Sequence, residues 1–334
     1  MEKFECKVIS ARMKKLRKRN QSIDLVKIFA MFGVMALHST IDETNTTVGF
    51  ILSRIAGISV PLFFMVSGYL LSQKEITWEY SLHKIKGILR FCFTMCFFYW
   101  IFRGIIKGSW PTMIIWDFLG CFFQKGHMWM FWYFGAMILI YLLLPRLKEI
   151  LIKPSTVLVL FFMVSIIFCM NVSIDFEERF INQTLRIWNW LFYFSLGAFL
   201  RDRIEKYAFS SYIMGFLVLV ISIMYCTFTY VLYDRVPFIE YYFGSIGCIL
   251  YAIAVFVFLA RKRIENNRIV ASLSSLFLPV YALHWEVKMI LRPIDTSFLG
   301  AYSPLGQFVL LLIVTLLFSW LIMKIPFLNR CFKI

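Results

Sequence analysis

Lys27 and His38 are the two residues of the first apolar stretch whose types and spacing could do chemistry. Eleven residues of α-helix make three turns plus roughly 20°, so both side chains project from one face, about 16 Å apart along the axis. A lysine supplies a point charge for a phosphate group, and an imidazole has a pKa suited to general-base catalysis. The pair therefore predicts a site in which a long, anionic-headed cofactor extends along the helix from the cation toward the histidine.

The elements that must position this pair are predicted from composition. Hydrophobic residues make up 60% of the chain and charged residues only 16%, and the mean hydropathy is +0.75. Apolar runs of about twenty residues recur along the chain, and the alternation typical of membrane strands is absent. We therefore predict an all-α, polytopic membrane helix bundle with a basic tail at 1–22 and one membrane domain at 23–334. The predicted spans are 24–41, 48–72, 88–106, 128–145, 154–173, 186–200, 211–233, 240–260, 269–291 and 303–324.

The formal net charge of +16 is explained by membrane topology. If the N-terminus is inside, 25 of the 35 Lys and Arg residues lie on inner segments, eight of them in residues 1–23. This bias follows the positive-inside rule, so about ten transmembrane helices with both termini cytoplasmic are expected. No small-residue cleavage site follows His38, which favours an uncleaved signal-anchor in the cell (plasma) membrane. The basic tail is then a topology signal and an anionic-lipid contact, and nucleic acid is not an expected partner.

Other polar residues in the apolar stretches have a structural and a functional interpretation. Asp24 lies three residues before Lys27 and can neutralise it on the helix, or both can simply be interfacial. The cysteines show no metal or disulfide framework, and the segment Trp110–Phe123 is too short to cross. Six further residues are candidates for a pocket, although helix packing or an aromatic belt also explains them. They are Ser67, Tyr69, His127, Trp129, Tyr281 and His284.

Taken in order, these residues resemble the integral-membrane acyltransferase family three, a bacterial group that O-acylates surface glycans and related acceptors. Its first helix has an Ile-Asp-x-x-(Arg/Lys) segment, ten residues and then His, which matches Asp24, Lys27 and His38. A Phe-Phe-x-x-Ser-Gly-(Tyr/Phe)-Leu segment matches 63–70. A His-x-Trp pair matches His127 and Trp129. A Leu-Ser-x-x-Ser-x-x-x-Tyr-x-x-His segment matches 273–284, and 324–326 resembles the C-terminal end, so the resemblance spans nearly the whole chain.

The resemblance implies a membrane acyltransferase that moves an acyl group, most often acetyl, from cytoplasmic acyl-CoA to a hydroxyl of a cell-surface or lipid-linked glycan. Acetyl-CoA is then a co-substrate, and neither a permanently bound cofactor nor a metal is expected. By position, Lys27, Lys86 and Arg90 are expected to hold the phosphates, while Asp24 and His38 are the expected catalytic residues. His38 could act as a general base or accept the acyl group transiently.

One departure from the family pattern concerns the cation. Lys27 stands where the motif more often has Arg, so a point charge replaces a bidentate fork.

Besides acyl-CoA and the acceptor, the expected partners are membrane lipids and glycan-synthesis proteins.

Two other classes of function remain open from the residues. A transporter or flippase of glycan precursors is compatible with ten spans and midplane polar residues. Against it, the two halves of the chain show no repeat, and few acids lie within the spans. A membrane scaffold for glycan synthesis would leave the spacing of Lys27 and His38 unexplained.

Overall fold

The structure is a computed structural model that describes residues 20–39, 46–108, 110, 113–174, 181–204, 206, 210–234, 236–264 and 266–332. The described residues form α-helices joined by loops and short 3₁₀ turns, and they contain no strand. The α-helices are α1 (Gln21–Ser39), α2 (Thr47–Ala56), α3 (Ser59–Leu71), α4 (Trp78–Lys107), α5 (Ile114–Cys121), α6 (Trp132–Leu151), α7 (Pro154–Val172), α8 (Ile187–Arg201), α9 (Ser211–Val231), α10 (Ile246–Ala260), α11 (Arg268–Ser275), α12 (Phe277–Leu291), α13 (Ser303–Met323) and α14 (Pro326–Cys331). The 3₁₀ turns are Trp129–Phe131, Gln183–Leu185, Ile239–Gly244 and Ser297–Tyr302.

The predicted polytopic helix bundle is confirmed. Seven segments of the described chain are long and apolar enough to cross a membrane, and the bent pair α11–α12 makes an eighth. The remaining two predicted spans, 186–200 and 240–260, correspond to α8 and α10, which have 15 residues each. Such a helix is about 22 Å long, which is shorter than the roughly 30 Å hydrocarbon layer. The segment predicted not to cross contains α5, a helix of eight residues.

A bend in the chain between α11 and α12 helps to place the residues of the site. The two helices meet at 57°. Pro279 has no N–H group to donate to the carbonyl of Ser275, so the first helix cannot continue straight into the second. The bend lets α11 place Ser274 beside the start of α1, while α12 places His284 beside its end.

Two contacts organise the core. Helix α1 packs against α2, α3, α10, α11, α12 and α13. Helices α3 and α8 pack together at two glycines, and a Cβ atom on Gly68 would lie 1.8 Å from the carbonyl oxygen of Phe194. A Cβ on Gly197 would lie 1.9 Å from the carbonyl oxygen of Met65. Only glycine permits this approach of two backbones.

The bundle has two ends, which are named here from their residues. The basic end is where α1 begins, and its loops contain Lys74 and Lys153. There, Gln21 Nε2 donates to the carbonyl of Asn267 over 3.1 Å. The opposite end is where α1 finishes, and there Gln124 Oε1 accepts from Gln183 N over 2.7 Å.

Candidate active site

His38 lies in the last turn of α1 and is surrounded by aromatic rings. The His38 ring centroid is 5.5 Å from that of Trp129 and 5.8 Å from that of Trp285, both edge to face. It is 4.9 Å from the ring centroid of His284. His38 Nδ1 is buried and has no hydrogen-bond partner in the described part of the chain. The predicted base therefore has a nitrogen that the surrounding protein leaves unused.

His284 forms an imidazole pair with His38. Its side chain is fully buried, and Nδ1 lies 2.8 Å from the carbonyl oxygen of Tyr281. Because a carbonyl only accepts, Nδ1 carries the proton in this hydrogen bond and Nε2 presents a lone pair. His284 Nε2 is buried and also lacks a partner among the described residues. The structure thus brings together two histidines that are 246 positions apart in sequence.

A cavity of about 400 Å³ opens beside His38 at the opposite end of the bundle. Trp129 and Tyr281, two of the candidate pocket residues, line it, and the Tyr281 hydroxyl donates to the carbonyl of Met130. The rest of the wall is mainly apolar. A cavity of this size holds a small organic ligand and shields a reaction on it from water.

Asp24 and Lys27 lie at the basic end. Asp24 is buried, and its Oδ1 accepts from Ser274 Oγ over 2.7 Å and lies 3.5 Å from Lys27 Nζ. Fourteen residues of helix separate Asp24 from His38, or about 21 Å. Asp24 therefore does not contact His38, and its expected catalytic role has no geometric support. The carboxylate instead joins α1 to α11.

Lys86 and Arg90 do not converge on the interior of the bundle. Both are exposed on α4, on the face that also exposes Leu82 and Phe93. A face with these apolar residues points toward lipid, with the two cations at headgroup level. Their expected contact with a cofactor in the bundle therefore has no geometric support.

Two lysines that the sequence motifs did not single out contact one tyrosine at the basic end. Lys84 is half-buried, with Nζ 5.8 Å from the centroid of the Tyr80 ring. Lys74 Nζ lies 3.2 Å from the hydroxyl of the same tyrosine. The sequence placed both lysines in an inner basic segment. Lys86 belongs to the same segment, and nothing in the sequence showed that the surroundings of Lys74 and Lys84 differ from those of Lys86.

Ser67 and Tyr69 form hydrogen bonds away from the cavity. Ser67 Oγ donates to the carbonyl of Phe63 over 2.9 Å, one turn back on α3. The Tyr69 hydroxyl accepts from Asn20 Nδ2 over 3.4 Å at the basic end. Neither residue is among the described residues that line the cavity. Of the two interpretations of the Ser-Gly pair, close helix packing fits the contacts.

His127 joins three elements rather than facing the cavity. Its Nε2 lies 2.5 Å from Glu286 Oε1 on α12, and its ring stacks on that of Tyr99 on α4 with centroids 3.8 Å apart. It is not among the described cavity-lining residues. The two residues of the His-x-Trp motif therefore make different contacts. His127 attaches the loop to two helices, and Trp129 lines the cavity.

Two polar residues of the cavity wall, Arg54 and Gln183, were not singled out from the sequence. A charged residue inside an apolar span usually needs a functional reason, and Arg54 within the predicted span 48–72 was such a signal. Gln183 follows a loop and had no comparable signal. No group of three or more His, Cys, Asp or Glu residues that could hold a metal occurs in the described part of the chain.

The fold and the site define a polytopic helical membrane protein in which the rings of His38 and the buried His284 pack together beside a cavity. A family model described as an acyltransferase domain, acyltransferase family 3, matches residues 20–324 of the 334-residue chain. The chain belongs to this family, and the resemblance inferred from the ordered motifs is confirmed. Searches of curated proteins and of solved structures gave no match.

Proposed function

We propose that this membrane acyltransferase moves an acetyl group from acetyl-CoA to a hydroxyl of a cell-surface or lipid-linked glycan. One observation supports the assignment most strongly. His38 lies beside the cavity, its ring packs against that of His284, and its Nδ1 has no hydrogen-bond partner among the described residues. Proton transfer to an unused imidazole is the chemistry that a sugar hydroxyl needs, because it is a weak nucleophile at neutral pH.

In the proposed reaction the nucleotide head of acetyl-CoA remains at the basic end. The pantetheine arm extends along α1 over the roughly 16 Å from Lys27 to His38. His38 takes the proton of the acceptor hydroxyl as its oxygen attacks the thioester carbonyl. The C–S bond then breaks and the released thiolate takes up a proton. In the second variant the imidazole attacks the thioester first, the C–S bond breaks and the CoA thiolate leaves. The acetyl group then passes from the imidazole to the hydroxyl oxygen, and the proton of the hydroxyl goes to the thiolate.

The assignment is tested with labelled acetyl-CoA. Membranes that contain the chain are incubated with the donor, and the surface glycans of the same cells are then analysed by mass. We expect labelled acetyl esters on a glycan fraction that are absent from membranes without the chain. A chain that binds acetyl-CoA yet leaves every glycan and lipid-linked fraction unlabelled would contradict the proposal.

Replacement of Lys27 separates donor binding from chemistry. Lys27→Ala is expected to raise the apparent Kd for acetyl-CoA roughly tenfold, since one charged contact with phosphate is lost. Lys27→Arg should retain most of the affinity because the positive charge remains. The measurement is binding of acetyl-CoA at low salt, with Lys125→Ala, which removes an exposed cation at the opposite end, as the matched control. An unchanged affinity in Lys27→Ala would show that Lys27 acts through its ion pair with Asp24.

The proposed direction of transfer requires that the basic end face the cytoplasm. Single cysteines replacing Asn266 and Ser173 on a cysteine-free background report the two ends, because both side chains are exposed. We expect an impermeant thiol reagent to label position 173 in intact cells and position 266 only after permeabilisation. If position 266 were labelled in intact cells and position 173 only after permeabilisation, the basic end would face outward and the proposed direction of transfer would be wrong.

A further inference from the structure

Arg54 lies in the wall of the 400 Å³ cavity that also contains His38. Only 1% of the Arg54 surface is exposed, although it occupies α2 within a membrane-crossing segment. A charge removed from water in this way is strongly disfavoured unless it is paired. Within the described part of the chain, no carboxylate lies within salt-bridge distance of it.

The contacts of Arg54 fix the guanidinium but leave part of it unused. One nitrogen, Nη2, donates to the carbonyl of Pro237 over 3.1 Å. The guanidinium carbon lies 4.6 Å from the ring centroid of Phe50 and 5.5 Å from that of Tyr233. Nε is buried and has no hydrogen-bond partner among the described residues. The group is therefore held rigidly by rings and a carbonyl, with a donor still available.

Gln183 provides a second unsatisfied group in the same wall. Its side chain is 3% exposed, and neither Oε1 nor Nε2 has a hydrogen-bond partner in the described residues. Its backbone is held by Gln124 Oε1, which accepts from Gln183 N over 2.7 Å. Buried polar atoms are normally satisfied, and groups left open in a cavity are satisfied when a ligand binds.

From this geometry we propose that Arg54 and Gln183 form an acceptor subsite that selects a hydroxylated ligand bearing an oxyanion, either a carboxylate or a phosphate. The inference rests on the proposed function, because it assigns the acceptor to the same cavity as His38. Arg54 supplies the charge-assisted hydrogen bond, and the Gln183 amide binds a neighbouring hydroxyl or oxygen. The anion of the ligand compensates the buried cation.

Glu240 is the acidic residue among the described residues of the cavity wall. Burial raises the pKa of its carboxyl, while the charges of Arg186 and Arg54 act in the opposite direction. Among the described residues Arg54 forms no ion pair with this carboxyl and donates instead to the carbonyl of Pro237, so an anionic ligand is favoured over a cationic one.

Arg186 provides a matched control on the same end of the bundle. It is also buried, with 6% exposure, and its guanidinium carbon lies 4.2 Å from the Tyr241 ring centroid. Its Nε donates to the carbonyl of Ile181 and its Nη1 to that of Glu240. It is not among the described residues that line the 400 Å³ cavity. The two arginines thus share burial and ring contacts but differ in access to the ligand.

Three soluble sugars test the subsite: methyl β-glucoside, methyl β-glucuronide and glucose 1-phosphate. They share most hydroxyls and differ in charge, and the last two separate a carboxylate from a phosphate source. Binding to the purified full chain is measured by tryptophan fluorescence, and transfer by labelled acetyl-CoA. We expect at least one anionic sugar to bind on the order of tenfold to a hundredfold more tightly than the glucoside, as one charge-assisted hydrogen bond allows.

The variants assign this preference to Arg54. In Arg54→Gln the ratio of anionic to neutral affinity should fall to about one, and Arg54→Lys should keep part of it. Arg186→Gln should keep the wild-type ratio. Equal binding of all three sugars by the wild type, or a ratio that survives Arg54→Gln, would overturn the inference. If the anionic preference holds but neither these sugars nor any glycan or lipid-linked fraction is acetylated, the subsite stands and the proposed reaction fails.

Discussion

His38→Gln is expected to lower acetyl transfer by about 10²–10⁴-fold while the protein remains folded, inserted in the membrane and able to bind acetyl-CoA. This is the usual effect of removing a general base. Glutamine keeps the hydrogen-bonding capacity of the side chain but has no basic nitrogen. The side chain lies beside the cavity, and its buried Nδ1 has no partner in the described structure, so the substitution breaks no hydrogen bond of that nitrogen.

The measurement is the rate of acetyl transfer per mole of folded protein, with acetyl-CoA binding as the second readout. His83→Gln is the matched control, since His83 is exposed on α4. Near-normal transfer by a well-expressed His38→Gln variant would remove the base and nucleophile roles together. His284, whose Nε2 is equally unpartnered among the described residues, would then be the next residue to test.

Gly68→Ala is expected to cost at least about 1–3 kcal/mol of stability, the usual range for overpacking a core. The added Cβ would lie 1.8 Å from the carbonyl oxygen of Phe194. Backbone atoms cannot rotate away as a flexible side chain can, so α3 and α8 must separate. We expect a lower thermal midpoint and less folded protein after extraction in detergent.

Gly215→Ala controls for the general effect of replacing a helical glycine. A Cβ on Gly215 would meet nothing closer than Phe258 at 3.7 Å, which is ordinary contact. Alanine has the higher helix propensity, so this variant should be as stable as the wild type or slightly more stable. A Gly68→Ala variant with the stability of Gly215→Ala would show that the contact between α3 and α8 is not tight.

The class of fold was predictable because membrane insertion depends on local composition. A run of about twenty apolar residues must cross as a helix, since the lipid offers no partner for its backbone. The weaker predictions concerned α8 and α10. Their apolar runs are genuine, but these helices have 15 residues each and pack largely against other helices rather than lipid. The apolar runs therefore reflect the burial of these two helices inside the bundle. They do not show that the helices are long enough to cross the bilayer.

For the candidate site, the helical period placed Lys27 and His38 on one helix because their spacing is short and local. The ordered motifs likewise identified the acyltransferase family. Local sequence could not separate the half-buried Lys84 from the exposed Lys86 two positions later, since the side of a helix that faces the bundle depends on the neighbouring helices.

Three features of the site depend on long-range packing. They are the pairing of His38 with His284, the distance of Asp24 from both, and the cavity wall that contains Arg54 and Gln183. These contacts join residues from separate helices and loops. Periodicity specifies which face of a helix is apolar but not which helix covers it. The membrane helices and the chemical types of the candidate residues thus follow from local sequence, whereas the assembled site follows from how the helices pack around α1.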